Sequence, residues 1–236
     1  MTVPRSKLFI SGDKLGELDA ALRSGPDALS FDLEDSVAEA GKAAARSAVA
    51  AALRGQRLAP QVWVRVNGAD SGHLVADILA LAGAHVDVIN LPKAESPAQI
   101  TLVQALLEHI EAEHPHAPRL RIVPTIESAL GLRHAAAIAA ASPRVMALQL
   151  GAGDLRSETG ITDRSTGLGM LRTLLRLAAA EAGVPALDST PHGMDDLAVF
   201  EADALIARSL GLAGKSCMHP AQVAVANRVF AEGMAI

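Results

Sequence analysis

The stretch Gly25-Pro-Asp-Ala-Leu-Ser-Phe-Asp-Leu-Glu-Asp-Ser-Val-Ala-Glu39 holds the unit from which the fold is read. It opens on a glycine that closes an Ala/Leu-rich segment, and glycine accepts the left-handed backbone that commonly ends a helix. Residues 28–32 follow, short and almost continuously apolar, as a parallel strand covered on both faces requires. Three acids, Asp32, Glu34 and Asp35, stand at the far end of that strand. Ser36-Val-Ala-Glu39 then reads as a capping box, with Ser36 accepting from a first-turn N–H and Glu39 reaching back, so a helix is expected over 37–53.

Working outward, the same alternation recurs along the chain. Strands are expected at 7–10, 28–32, 62–66, 86–91, 121–126, 145–150, 186–188 and 215–218. Ser96-Pro97-Ala-Gln99 forms a second capping box, with Pro97 at the first helical position, where its missing N–H costs nothing. Gly83, Gly183 and Gly211 repeat the role of Gly25. Eight strand–helix units with short connections predict a closed (β/α)₈ TIM barrel over residues 1–236, a single domain, in preference to a doubly wound open sheet.

Composition narrows the function. Of 236 residues, 50% are hydrophobic but only 2% aromatic, with no Tyr, so the core is aliphatic. Lys and Arg total 21 against 26 for Asp and Glu. That balance argues against a nucleic-acid partner, which favours basic patches and stacking aromatics. A single Cys excludes an internal disulfide and a multi-Cys zinc site. The apolar runs stop well short of the roughly 20 residues of a membrane span, and the N-terminus shows no signal-peptide pattern. The expectation is a soluble, cytoplasmic protein with a small-molecule ligand.

In a barrel of this kind the active site lies at the C-terminal ends of the strands. Functional side chains collect there: Asp32, Glu34 and Asp35; Arg65 and Asn67; Lys93; Glu127; Asp154; Asp188; His219. Glu127 and Asp154, from adjacent strand ends and with few soft ligands nearby, suit a hard, oxygen-seeking cation. Mg²⁺ takes one or two carboxylates, keeps several waters and leaves room for substrate oxygens. The eight His are dispersed and no H-x-x-x-H occurs, which disfavours zinc. Arg65 is the candidate to grip a carboxylate or a developing oxyanion. Metal and Arg together suit a 2-oxo acid and an enolate. Lys93 either approaches substrate or tethers a loop. His219 reads as a structural hydrogen-bonding residue and Cys217 as a small core hydrophobe.

In order and spacing, a series of motifs resembles the citrate lyase β-subunit-like group of the HpcH/HpaI aldolase family. They are Arg5-Ser-Lys-Leu-Phe-Ile-Ser-Gly-Asp13, Ala28-Leu-Ser-Phe-Asp-Leu-Glu-Asp-Ser-Val37, Val64-Arg-Val-Asn67, Leu91-Pro-Lys-Ala-Glu95, Pro124-Thr-Ile-Glu127, Gly151-Ala-Gly-Asp-Leu155 and Gly214-Lys-Ser-Cys-Met-His-Pro-Ala-Gln222. The resemblance implies Mg²⁺ on Glu127 and Asp154, substrate contact by Arg65, and Glu34 and Asp35 holding metal-bound waters or substrate. It also implies a homo-oligomer, a trimer or hexamer, and cleavage of a β-hydroxyacyl-CoA such as citryl-, malyl- or citramalyl-CoA into an acyl-CoA and a 2-oxo acid. Ser11 stands where the family's first loop has Pro, and Gly153 where it has Glu. The C-terminal extension that closes over CoA in larger relatives is not expected in this chain. These departures bear on use of a CoA thioester more than on the metal site. They leave two alternatives: a CoA-independent 2-oxo acid aldolase, or a subunit of low activity that binds CoA ligands or partners. Without a lid, a neighbouring subunit, in a trimer, is expected to shield the barrel mouth.

Overall fold

The computed structural model describes residues 2–55, 57–114, 119–162, 166–190 and 196–231. Its frame is β1 (Ser6–Ser11), α1 (Leu18–Arg23), β2 (Ala28–Asp32), α2 (Lys42–Gly55), β3 (Gln61–Arg65), α3 (Leu74–Ala80), β4 (Val88–Leu91), α4 (Pro97–Ala112) and β5 (Arg121–Ile126). It continues through α5 (Ala129–Ala140), β6 (Leu148–Leu150), α6 (Ala152–Thr159), α7 (Thr166–Glu181), β7 (Ala186–Leu187), α8 (Leu197–Ser209), β8 (Lys215–Cys217) and α9 (Pro220–Val229). The eight strands run parallel in the order β7-β6-β5-β4-β3-β2-β1-β8. A bridge between Asp188 and Lys215 joins the two ends into a ring, as the (β/α)₈ reading requires. Gly25, Gly83, Gly183 and Gly211 all have positive φ, between 69° and 88°, and each follows a helix as expected.

Side-chain parity divides the barrel wall. Successive residues of a strand face opposite sides. One set, including Leu8, Leu29, Phe31, Val62, Val64, Ile89, Ile122 and Leu148, joins the core shared with the helices. The opposite set packs separately: Ala28, Trp63, Val88, Val123, Ala147 and Leu187 fill the lower part of the barrel. Above them the inward positions turn polar, with Lys7, Asn90, Thr125, Gln149 and Ser216 linked by hydrogen bonds. Barrels of this class usually fill such a layer with branched aliphatics.

Two expectations are corrected. No helix starts at Ser36. Its N–H donates to Asp32 Oδ2 at 3.1 Å, its carbonyl accepts from Ser11 Oγ at 3.2 Å, and α2 begins only at Lys42. Glu39 bonds His73 at 2.7 Å instead of reaching back to Ser36. Tertiary partners displace the local cap. The sixth strand is also shorter than expected, because Val145 makes only an isolated bridge to Ile122. The capping box at Ser96 and Gln99 does form.

Candidate active site

Asp32 and Arg65 close β2 and β3 and stand directly opposite each other in the parallel register. Pairing is therefore built into the strands. The guanidinium meets Asp32 two-pronged, Nε to Oδ1 and Nη2 to Oδ2, both at 2.7 Å. Its remaining nitrogen, Nη1, lies 3.0 Å from Glu34 Oε2 and 3.6 Å from Asp35 Oδ2. The Glu34 contact is an ion pair without hydrogen-bond alignment, and Oε2 has no hydrogen-bond partner. From the far side Lys93 Nζ holds Glu34 Oε1 at 2.6 Å and Asp35 Oδ1 at 3.4 Å. Lys93 does this with φ at 52°, a left-handed conformation uncommon outside glycine, so the loop after β4 bends sharply to deliver it. Lys42 clamps the same segment by bonding the Leu33 and Glu34 carbonyls and Asn67 Oδ1. Asn67 thus supports the loop.

Glu127 follows β5 and is buried, 6% exposed, and its Oε2 also lacks a partner. Burial first, and then the charge of Glu34, push its carboxyl up to about 8, with Asp154 adding to the effect and Arg65 opposing it. Gly151 makes room for this side chain, since a Cβ there would stand 2.1 Å from Glu127 Cγ. Asp154 lies in the first turn of α6, solvent-exposed, where the positive end of the helix favours an acid.

A cavity of about 350 Å³ opens at this mouth, lined by Phe9, Asp32, Asp35, Arg65, Glu127 and Gly151 among others. Arg65, Asp35 and Glu127 reach it. Glu34, Lys93 and Asp154 are not among its lining residues, although Glu34 touches Arg65 and Asp154 acts on Glu127 through its charge. A larger cavity of about 1230 Å³ opens at the opposite end of the barrel, among Pro4, Leu58 and Leu212. Two of its charges, Arg5 and Arg57, are committed to Asp27 and Asp87, and strand-end acids do not converge there.

The carboxylates fit a hard divalent ion. Among the described residues no cluster of three or more His, Cys, Asp and Glu could enclose a metal. Glu127 and Asp154 are the carboxylates that could hold a cation here, with water and ligand oxygens completing the coordination that Mg²⁺ favours. The unpartnered oxygen on buried Glu127 is the acceptor such an ion would satisfy.

Two strand-end groups do not join the site. Asp188 is fully buried and held by Arg172 and Lys215, with Asp203 sharing both cations, so it staples the wall where β7 meets β8. His219 caps α9, its ring accepting from the Ala221 N–H at 3.2 Å while Gln222 bonds back, in agreement with the structural reading. Cys217 is buried in the core, its thiol pushed up to about 12 by desolvation. The polar floor of the cavity, Lys7, Asn90, Thr125, Gln149 and Ser216, was missed by strand-end reasoning. The signal was present as single polar residues interrupting apolar strands, all at inward parity.

The family model for HpcH/HpaI aldolase/citrate lyase matches residues 5–220. An L-malyl-CoA/beta-methylmalyl-CoA lyase of Cereibacter sphaeroides is 33% identical, over 96% of this chain and 78% of its own. The citrate lyase subunit beta of Leuconostoc mesenteroides subsp. cremoris is 32% identical, over 96% of this chain and 76% of its own. Among solved structures, the citrate lyase beta subunit from M. tuberculosis, complexed with oxaloacetate and magnesium, superposes with a TM-score of 0.79. It is 31% identical and 97% of each chain is covered.

Proposed function

For a chain that thus belongs to the HpcH/HpaI aldolase/citrate lyase family, we propose a Mg²⁺-dependent carbon–carbon lyase that cleaves a β-hydroxyacyl-CoA, of the citryl-, malyl- or citramalyl-CoA type. The products are an acyl-CoA and a 2-oxo acid. The observation that carries this reading is the buried Glu127 carboxyl with its unpartnered oxygen, set beside the pre-aimed Arg65 fork at a barrel mouth. Glu127 and Asp154 would hold Mg²⁺, which would supply Lewis-acid polarisation of the oxo-acid oxygens.

The protein's own groups do the rest. Asp32 locks Nε and Nη2 of Arg65, and Nη1, in ion contact with Glu34 but without an aligned hydrogen bond to it, would meet a ligand oxygen without losing side-chain freedom at that moment. In cleavage the substrate hydroxyl gives its proton to a water at the mouth and becomes the 2-oxo carbonyl, while the bond pair passes to the acyl-CoA as an enolate. Arg65 stabilises the oxygen that carries negative charge as this happens. Glu34 and Asp35 stand between Arg65 and Lys93, placed to orient water or ligand, and the new C–H proton comes from a water or an acid they position. Half-exposed Lys93, held by Glu34 and Asp35, would meet the CoA side of the substrate.

Product formation from citryl-, malyl- and citramalyl-CoA, beside free hydroxy-oxo acids, tests the reading directly, with Mg²⁺ and then with a chelator. A 2-oxo acid released from a CoA thioester only with Mg²⁺ is the expected result. Turnover of the free acids alone points to the CoA-independent aldolase, and absence of any product to a binding subunit.

A further inference from the structure

The cavity floor holds a group that the lyase chemistry leaves idle. Lys7 points into the barrel from β1, 2% exposed, and lines the cavity together with Asn90 and Gln149. Its nitrogen meets neutral acceptors, Asn90 Oδ1 at 3.1 Å and Gln149 Oε1 at 2.8 Å. Neither amide is free to turn. Asn90 Nδ2 donates to the Val123 carbonyl at 2.8 Å and to Thr125 Oγ1 at 2.7 Å. Gln149 Nε2 donates to the Asp188 carbonyl at 2.8 Å. Both amide oxygens are thereby fixed toward Lys7.

Two other lysines of this barrel meet carboxylates. Lys93 touches Glu34 and Asp35, and Lys215 touches Asp188 and Asp203, whereas Lys7 touches no carboxylate among the described residues. Aromatic rings flank it, with Phe9 at 4.5 Å and Trp63 at 5.1 Å from ring centre to nitrogen. Burial, followed by the nearby charge of Arg65, holds its pKa well below the ordinary lysine value, against the smaller opposing charges of Asp32 and Glu127. A neutral amine suits this surrounding. Its two N–H bonds serve the two amides and its lone pair is left over. Desolvation beside a second cation is a recognised way to turn lysine into a nucleophile.

We infer that Lys7 is a second reactive centre of this cavity, an amine that condenses with a 2-oxo acid to form an imine. The inference rests on the reading above that such acids enter here. The lone pair of Nζ bonds to the C2 carbonyl carbon, and the carbonyl oxygen takes up a proton as the carbinolamine forms. That hydroxyl then leaves as water, taking one further proton, while nitrogen gives up its hydrogens and closes the C=N bond. One water is released for each imine. Once protonated, the imine withdraws electrons from C3, so the site gains a metal-independent route for loosening C3 hydrogens.

Reductive trapping tests this. The full chain is incubated with pyruvate and sodium cyanoborohydride, with and without Mg²⁺, and analysed by intact mass and peptide mapping. The expected product gains the mass of pyruvate less one oxygen atom, on the peptide that contains Lys7, and it is absent from Lys7→Met. No adduct, or adducts confined to surface lysines, overturns the inference. The peptide map of the wild-type chain is sufficient for this test even if the variant fails to fold. Calorimetry with pyruvate and Mg²⁺ separates the two readings. Mg²⁺-dependent binding without a Lys7 adduct overturns the imine and leaves the lyase reading standing. A Lys7 adduct without Mg²⁺-dependent binding supports the imine and removes the lyase reading.

Discussion

Replacing Glu127 by Gln should make the metal-free protein more stable, by an amount that grows with pH. The folded chain keeps a proton on Glu127 up to about pH 8, whereas an ordinary glutamate gives it up near 4.5. Between those values the folded state binds more protons than the unfolded state, so stability falls as pH rises. The contribution of the protonated carboxyl is fully present below about 4.5 and is lost as pH climbs through about 8. Each pH unit in that window is worth about 1.4 kcal/mol, which sets a ceiling of about 5 kcal/mol. Water drawn to the ionised side chain trims this, and about 2–4 kcal/mol is expected. Gln is neutral throughout and nearly the same shape, so it escapes the penalty. Glu34, raised by burial, and Lys7, lowered by burial, add slopes of opposite sign in both proteins, and only the part of each that comes from the charge of Glu127 enters the difference. Urea unfolding in EDTA, followed by circular dichroism from pH 5 to 9, measures the effect. Wild type and Glu127→Gln should be within about 1 kcal/mol at pH 5, diverge steadily in favour of the variant as pH rises toward about 8, and run parallel above it. Parallel profiles would refute the reasoning, because they would mean that Glu127 ionises as an exposed glutamate does.

Asp154→Asn removes charge from an exposed ligand position. It should leave the melting temperature near wild type while Mg²⁺-dependent oxo-acid binding, read by calorimetry, loses several kcal/mol. Arg65→Lys keeps the charge but not the two-pronged grip on Asp32, and kcat/KM should fall about 10²–10³-fold. A variant with near-normal turnover would make Arg65 a structural ion pair. Gly151→Ala drives a methyl into Glu127, and denaturant titration should show a loss of about 1–3 kcal/mol together with weakened Mg²⁺ binding. Light scattering should give three times the chain mass of 24.3 kDa, steady on dilution. A monomer with full activity would remove the argument that neighbouring subunits shield the mouth.

The strands were legible because a parallel strand covered on both faces must be short and apolar, and little else in such a chain is. The acids at the mouth were legible because barrel architecture puts function at strand ends. Asp188 shows where that rule overreaches. It shares the parity of Ala186, whose side chain joins the core under the helices, so Asp188 faces outward to Arg172 while Leu187 faces in. Counting parity would have separated it from Glu127, which follows inward-facing Val123 and Thr125. The same count finds Lys7, Asn90 and Gln149, whose polar side chains look like interruptions until their common inward direction is noticed. Ser36 was misjudged for another reason. A capping box is a purely local pairing, and here Asp32, Ser11 and His73 gave its members better partners from other parts of the chain.

The pairing of Ser6 with Lys215 places the seam of the barrel between the first strand and the last. A ribosome adding about 5–20 residues per second must reach Lys215 before that pair can form. Until then the nascent protein is an incomplete cylinder with the edges of β1 and β7 bare, and Arg172 and Asp188 wait in a half-built wall for Lys215 to emerge. Such edges invite pairing with other chains. Pairing of β1 with β8 covers one of these edges and the bridge from Asp188 to Lys215 the other, so emergence of the last strand removes both at once.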